Sequence, residues 1–352
     1  MKILSVVGAR PQFIKCAPVP RELRKKHKEV LVHTGQHYDH GMSDIFFEEL
    51  HIPKPDYNLN IGSSSHGKQT GAMLAGIEDV LLNEKPDMML VYGDTNSTIG
   101  GALAAAKLHV KVAHVEAGLR SFDRSMPEEI NRVLTDHISD ILFCPTKTAV
   151  ENLAKEGIIN GVNLVGDVMV DALEYNYGIA MKTSKIIEKL GVTPGKFLAV
   201  TIHRPGNTDV KEHMVNILSA LGESGKEIVF PAHPRTVNYL KGYGLLETLP
   251  SNIQIIEPLG YLDMLMLMGS ADKVITDSGG VQKEAYMLKV PCITLRDNTE
   301  WVETIESGWN VLVGANKELL LKMIHKPKED LPHDDIFGRD ATKKIADCLN
   351  LV

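Results

Sequence analysis

The sequence contains no uninterrupted apolar run near the ~18 residues that would be read as a membrane span. It has no Cys-x-x-Cys pair, and its four cysteines, Cys16, Cys144, Cys292 and Cys348, are far apart. The apolar N-terminal run Ile3–Val7 is too short for the core of a secretory signal. Scattered thiols without such a signal point to a reducing cytoplasm. There is no basic excess either: 38 Lys and Arg against 45 Asp and Glu leave a net charge of -7. That excludes a broad nucleic-acid-binding face, though not a small cationic pocket. No G-x-G-x-x-G follows the first apolar run, so a nicotinamide cofactor is not expected, and no serine sits in a G-x-S-x-G elbow. His37 with His40, and His109 with His114, lack partners at metal-ligand spacing, so no metal is expected. The segment Gly62-Ser63-Ser64-Ser65-His66-Gly67-Lys68-Gln69 nearly fits a phosphate loop, but Gln69 stands where a magnesium-binding hydroxyl belongs, and it reads as a loop.

What the sequence does contain is alternation. Apolar, β-branched runs at Ile3–Val7, Val30–His33, Met88–Tyr92, Val112–Val115, Ile141–Phe143 and Asn163–Val165 predict strands. Between them Phe13–His27, Gly41–Leu50, Gln69–Asn83, Ser97–Leu108, Glu128–Ser139 and Thr148–Glu156 carry the helical period. The pattern restarts with strands at Phe197–Thr201, Glu227–Phe230, Ile253–Ile256, Lys273–Thr276 and Cys292–Leu295. The stretch Tyr177–Pro194 reads as the join. The fold class expected is α/β, with two doubly wound, Rossmann-like domains facing each other across a cleft. The expected boundaries are residues 1–170 and 171–335, followed by a C-terminal helical segment at 336–352.

Ligands of such sheets sit beyond the carboxyl ends of the strands. There the first half offers Gly8-Ala9-Arg10-Pro11-Gln12-Phe13-Ile14-Lys15, either a diphosphate seat at a helix N-terminus or an ordinary turn with a solvated arginine and lysine. Asp94 follows the Met88–Tyr92 strand as an acid or as an Asx turn or cap. Glu116 directly follows an apolar strand and is harder to explain as a cap. Ser125 and Glu128 have capping-box spacing, so Glu128 is either a cap partner or a third acid. Asp94, Glu116 and Glu128 at one rim would titrate as a coupled set, one keeping a proton, which suits proton transfer at carbon. The second half offers His203-Arg204 and His233-Pro234-Arg235 at strand ends, then Asp277-Ser278-Gly279-Gly280-Val281-Gln282-Lys283-Glu284. Two glycines opening a helix suit an anion, and Glu284, farther in, suits ribose hydroxyls.

In order along the chain, these motifs, with Pro127-Glu128-Glu129-Ile130-Asn131-Arg132, resemble the non-hydrolysing UDP-N-acetylglucosamine 2-epimerases from about residue 3 to about residue 315. The resemblance implies a GT-B fold whose final helix crosses back onto the first domain. It implies a cytoplasmic homodimer acting on a UDP-sugar without metal or nicotinamide cofactor. Carried over, Asp94, Glu116 and Glu128 are the acid/base set, and His203 assists departure and return of the diphosphate. Arg10, Lys15, Ser278, Gly279 and Gly280 hold phosphates, Glu284 holds the ribose, and Arg132 supports the carboxylates. Gln12, Asp39 and Lys68 depart from the bacterial pattern near a position where a second substrate molecule activates several relatives. Thr299-Glu300-Trp301-Val302-Glu303-Thr304 is similar to relatives acting on a 2,3-diacetamido uronic acid sugar. That sugar, and a glycosyltransferase on the same fold, are the alternatives to the N-acetylglucosamine epimerase.

Overall fold

The computed structural model describes residues 1–36, 47 and 50–351, the side chains of Arg10 and Pro11 excepted. The expected helix Gly41–Leu50 therefore lies outside the described residues, but for Phe47 and Leu50. The chain divides into two compact units, Met1–Tyr175 with Asp335–Val352, and Asn176–Asp334.

The first unit is built on a parallel sheet of strands β1 (Lys2–Val7), β2 (Lys28–His33), β3 (Tyr57–Asn58), β4 (Met88–Tyr92), β5 (Lys111–Val115), β6 (Ile141–Cys144) and β7 (Val162–Leu164). Their order among the described residues is β3-β2-β1-β4-β5-β6-β7. Every residue of β4 is buried, as both faces of a parallel sheet carry helices. Leu4, Val6, Val32, Met89, Val91 and Val112 meet Met73, Ile77 and Ala105 from the helices on one face. The second unit repeats the plan with β8 (Phe197–Thr201), β9 (Glu227–Pro231), β10 (Ile253–Ile256), β11 (Lys273–Thr276), β12 (Cys292–Thr294) and β13 (Asn310–Leu312), ordered β10-β9-β8-β11-β12-β13. Each sheet reverses its winding once. Between β1 and β4, and between β8 and β11, the connections leave in opposite directions, so a crevice opens at the strand ends there. Gly8, Gly93 and Asp94 flank the first of these points, and His203, Asp277 and Ser278 the second.

Four local expectations are corrected. Phe13–His27 is two helices, Arg10–Cys16 and Val19–Leu23, because Pro18 and Pro20 cannot donate into a continuous ladder. His66–Gln69 is not loop but the first turn of the helix His66–Glu84. The join is helical: Val168–Thr183 runs through the division between the units, and Ile186–Leu190 follows it. Two strands were not anticipated, β3 with two residues and β13 with three.

In the first unit the C-terminal helix Ala341–Leu349 lies beside Val19–Leu23, and the Thr342 N–H donates to Asp171 Oδ2 at 2.8 Å. Just before it, Phe337 O accepts from the Asp167 N–H at 2.8 Å. Gly166 makes that approach possible: its φ is +95°, and a Cβ there would lie 2.9 Å from Phe337 O. Gly166→Ala should therefore lower stability by roughly 1–3 kcal/mol. Urea unfolding followed by circular dichroism measures this, and an unshifted midpoint would contradict the packing described.

Candidate functional site

In the first unit the turn after β1 is fastened by Gln12, fully buried in the first turn of Arg10–Cys16. Its Oε1 accepts from the N–H groups of Gly8 at 2.9 Å and Ala9 at 3.1 Å. Its Nε2 donates to Tyr92 O and Thr98 Oγ1, both at 3.0 Å. An amide is suited to this place because it both accepts and donates. The sequence marked Gln12 only as a departure, since Tyr92 and Thr98, to which it ties this turn, lie 80 and 86 residues away. The side chain of Arg10 lies outside the described residues.

Lys15, one turn on, reaches Glu116 with Nζ 2.8 Å from Oε1. Burial pushes the Lys15 ammonium toward neutrality, but the charges of Glu116 and Asp94 outweigh it and raise its pKa, so it remains a cation. Glu116 itself has φ +71°, left-handed backbone that non-glycine residues rarely adopt. Asp94 is not the cap of the helix that follows it. Thr95 is the cap of Asn96–Lys107, and the Asp94 carboxylate pairs with Arg132 Nη2. Arg132 also donates from Nη1 to Glu129 Oε2 at 2.9 Å.

The expectation of a shared proton among crowded carboxylates changes accordingly. Asp94 and Glu116 each have a cation of their own, because the helices behind the strand ends supply Arg132 and Lys15. The capping box is not formed either. Met126 is the N-cap of Pro127–Ile138, and the Ser125 hydroxyl donates to Asp123 at 2.6 Å instead. The acid that reaches back is Glu129, which accepts from the N–H groups of Ser121 and Phe122, both at 2.9 Å. Glu128 is half-buried in the first turn, without a hydrogen bond or ion pair to another described residue.

In the second unit the strand ends of β8 and β11 converge on Asp277, a fully buried carboxylate. It accepts from the backbone N–H of His203 at 3.1 Å, that of Arg204 at 3.0 Å and Asn207 Nδ2 at 3.1 Å. His203 Nδ1 is 3.1 Å from Oδ1, and its side chain is 51% exposed. The buried acid thus orients the ring and leaves Nε2 presented. Burial pushes the Asp277 carboxyl up, but the hydrogen bond and charge of His203 and the other donors outweigh it and hold it below the ordinary value of 3.8.

Ser278 is the N-cap residue of Gly279–Met287, yet its hydroxyl does not cap the helix. The two glycines differ in their reasons. A Cβ on Gly279 would strike Glu300 Oε1, whereas one on exposed Gly280 would find only Ser278 Oγ at 3.9 Å, so the backbone there is open to approach. Glu284 is buried, and desolvation raises its carboxyl to about 7, against the pull of Tyr261 and Lys283. His233 is a cap: its Nδ1 accepts from the Arg235 N–H at 3.2 Å, and Arg235 pairs with Asp209 at 2.9 Å. Among the described residues no three His, Cys, Asp or Glu side chains converge as metal ligands would.

The sequence profile of UDP-N-acetylglucosamine 2-epimerases matches residues 21–350. The chain belongs to the UDP-N-acetylglucosamine 2-epimerase family. A Methanococcus maripaludis relative named as a UDP-N-acetylglucosamine 2-epimerase homolog is 60% identical over 93% of this chain and 92% of its own. A UDP-2,3-diacetamido-2,3-dideoxy-D-glucuronate 2-epimerase of Pseudomonas aeruginosa is 47% identical over 99% of both. The crystal structure of Methanocaldococcus jannaschii UDP-GlcNAc 2-epimerase, in complex with UDP-GlcNAc and UDP, superposes with a TM-score of 0.92 at 49% identity over 100% of each chain. As a member of this epimerase family the chain is an isomerase with two Rossmann-like sheets, and none of its described helices is long and apolar enough to cross a membrane.

The depressed pKa of Asp277 has a pH signature. Its stabilising effect is present above the unfolded value near 3.8 and is lost as pH falls through the lower folded value. Asp277→Asn should unfold more easily than wild type at pH 6, by roughly 1–3 kcal/mol. The gap should narrow below pH 3.8; urea titrations at the two pH values that show it widening would refute the assignment.

Proposed function

We propose that the chain is a non-hydrolysing epimerase that interconverts UDP-N-acetylglucosamine and UDP-N-acetylmannosamine. The full-length likeness to the archaeal enzyme crystallised with UDP-GlcNAc and UDP supports this reading most directly. A base removes the proton on carbon 2 as UDP leaves carbon 1, giving 2-acetamidoglucal. UDP then adds back while an acid protonates the opposite face. The oxidation level is the same at start and finish, so the reaction needs no redox cofactor.

Asp94, Glu116 and Glu128 form the acid/base set, with Arg132 holding Asp94 and Lys15 holding Glu116. Arg10 and Lys15 supply cations for the diphosphate. His203, fixed by Asp277 through Nδ1, assists departure and return of UDP from Nε2. Ser278, Gly279 and Gly280 present a helix N-terminus to phosphate oxygens, and the bare backbone at Gly280 permits close approach. Glu284 takes the ribose hydroxyls. The family resemblance also carries a cytoplasmic homodimer, which light scattering checks.

Incubation with UDP-N-acetylglucosamine in deuterium oxide should place deuterium at carbon 2 and yield UDP-N-acetylmannosamine. Exchange confined to the diacetamido uronate would transfer the role to that sugar, and release of UDP only with an acceptor would indicate a transferase. Glu116→Gln should lower kcat by about 10²–10⁴ while calorimetric UDP affinity stays within about threefold. Glu284→Gln should leave the chemical step in place and weaken UDP by about tenfold, the worth of one hydrogen bond of ~1.4 kcal/mol.

A further inference from the structure

Beneath the two acid-bearing turns of the first unit lies a buried polar network that the proposed mechanism does not use. His114, in β5, is fully buried, with Nδ1 2.7 Å from Asp136 Oδ1 and Nε2 2.7 Å from Gly93 O. Each ring nitrogen faces an oxygen, so the ring is held from both sides. Asp136, 1% exposed, uses its other oxygen to accept from the Gly118 N–H at 3.1 Å and from Arg120 Nη1 at 2.6 Å. Arg120 turns its remaining face to Glu156, with Nε and Nη2 donating at 2.7 and 2.8 Å.

The placement of these bonds is specific. Gly93 immediately precedes Asp94. Gly118 stands two residues after Glu116 and carries a φ of +81° where a Cβ would strike Ala149 O. One carboxylate thus ties the Asp94 turn, through His114, to the Glu116 turn, through Gly118. The tie comes from the helix Pro127–Ile138, which also carries Arg132, the partner of Asp94. Arg132 and Asp136 are one turn apart on one face of that helix. Glu129, three residues before Arg132, anchors its start to Ser121 and Phe122 on the same stripe.

We propose that Asp136 is a positioning residue for the epimerisation, setting the spacing between the carboxylates of Asp94 and Glu116 without touching substrate. The inference rests on those two acids acting at carbon 2. Its consequence is selective: loss of Asp136 should impair the proton-transfer step, while nucleotide binding by the second unit persists. An asparagine there offers one acceptor oxygen where the carboxylate offers two, so it can accept on the His114 side or on the Gly118 and Arg120 side but not on both, and one ion no longer ties the two turns.

The test compares Asp136→Asn, His114→Gln and Glu156→Gln. Glu156→Gln weakens the outer end of the same network, leaving the contacts to Gly93 and Gly118 in place. Asp136→Asn and His114→Gln should each lower kcat for UDP-N-acetylglucosamine, and the rate of carbon 2 deuterium exchange with it, by about 10–100-fold. KM and calorimetric UDP affinity should stay within about twofold. Glu156→Gln should lower Tm yet keep kcat within about twofold. Crystal structures should show the Lys15–Glu116 contact opened in Asp136→Asn, the Asp94–Arg132 contact opened in His114→Gln, and both contacts intact in Glu156→Gln. A folded Asp136→Asn or His114→Gln with wild-type kcat, or with both the Lys15–Glu116 and Asp94–Arg132 contacts intact, overturns the proposal. So does a kcat that falls with Tm across all three variants, since that pattern marks a merely structural network. A wild-type enzyme that exchanges no deuterium sinks the epimerase reading instead, and the crystallographic comparison still decides whether Asp136 places Glu116.

Discussion

A carboxylate withdrawn from water needs a cation or several donors beside it, and the first unit supplies a cation to each of two acids at its strand ends. Glu116 is paired with Lys15 and Asp94 with Arg132. Both cations come from helices that follow strand ends, Arg10–Cys16 and Pro127–Ile138, while both acids come from the turns themselves. The parallel sheet makes this possible, because every strand delivers its carboxyl end to the same edge. The second unit uses the same geometry with the signs exchanged: a buried acid, Asp277, sits behind an exposed imidazole and an open helix N-terminus.

The parts of the fold that sequence reading found are those whose cause is local. Apolar runs such as Met88–Tyr92 and Phe197–Thr201 coincide with strands end to end, since burial on both faces favours apolar residues along the strand. The parts it missed have causes outside the window. The two residues of β3 and the three of β13 are too few to show a period, and pairing with an existing edge creates them. The Gly62–Gln69 segment looked like a loop by composition, but Gln69, Met73 and Ile77 bury against the sheet and carry the helix back to His66. Tyr177–Pro194 resembled a linker for the same reason, although Ala180 and Ile186 are buried.

The candidate site divides along the same line. Acids and histidines directly after strands were visible because their position alone is informative. Gln12, Glu129, Asp136 and Asp277 were passed over as site residues. Each is a buried polar side chain whose partners come from other elements, and in the sequence each reads as one more polar residue in a helix or turn. A polar side chain at a strand end was easier to see than the buried one that holds it in place.

The backbone of Glu116 carries a consequence of its own. The left-handed region in which it sits is a small island, walled off by steric overlap from the helical and extended basins. A residue held there has little room to turn while the surrounding packing stands, so the direction in which this carboxylate leaves the strand end is set by the main chain as well as by its ammonium partner.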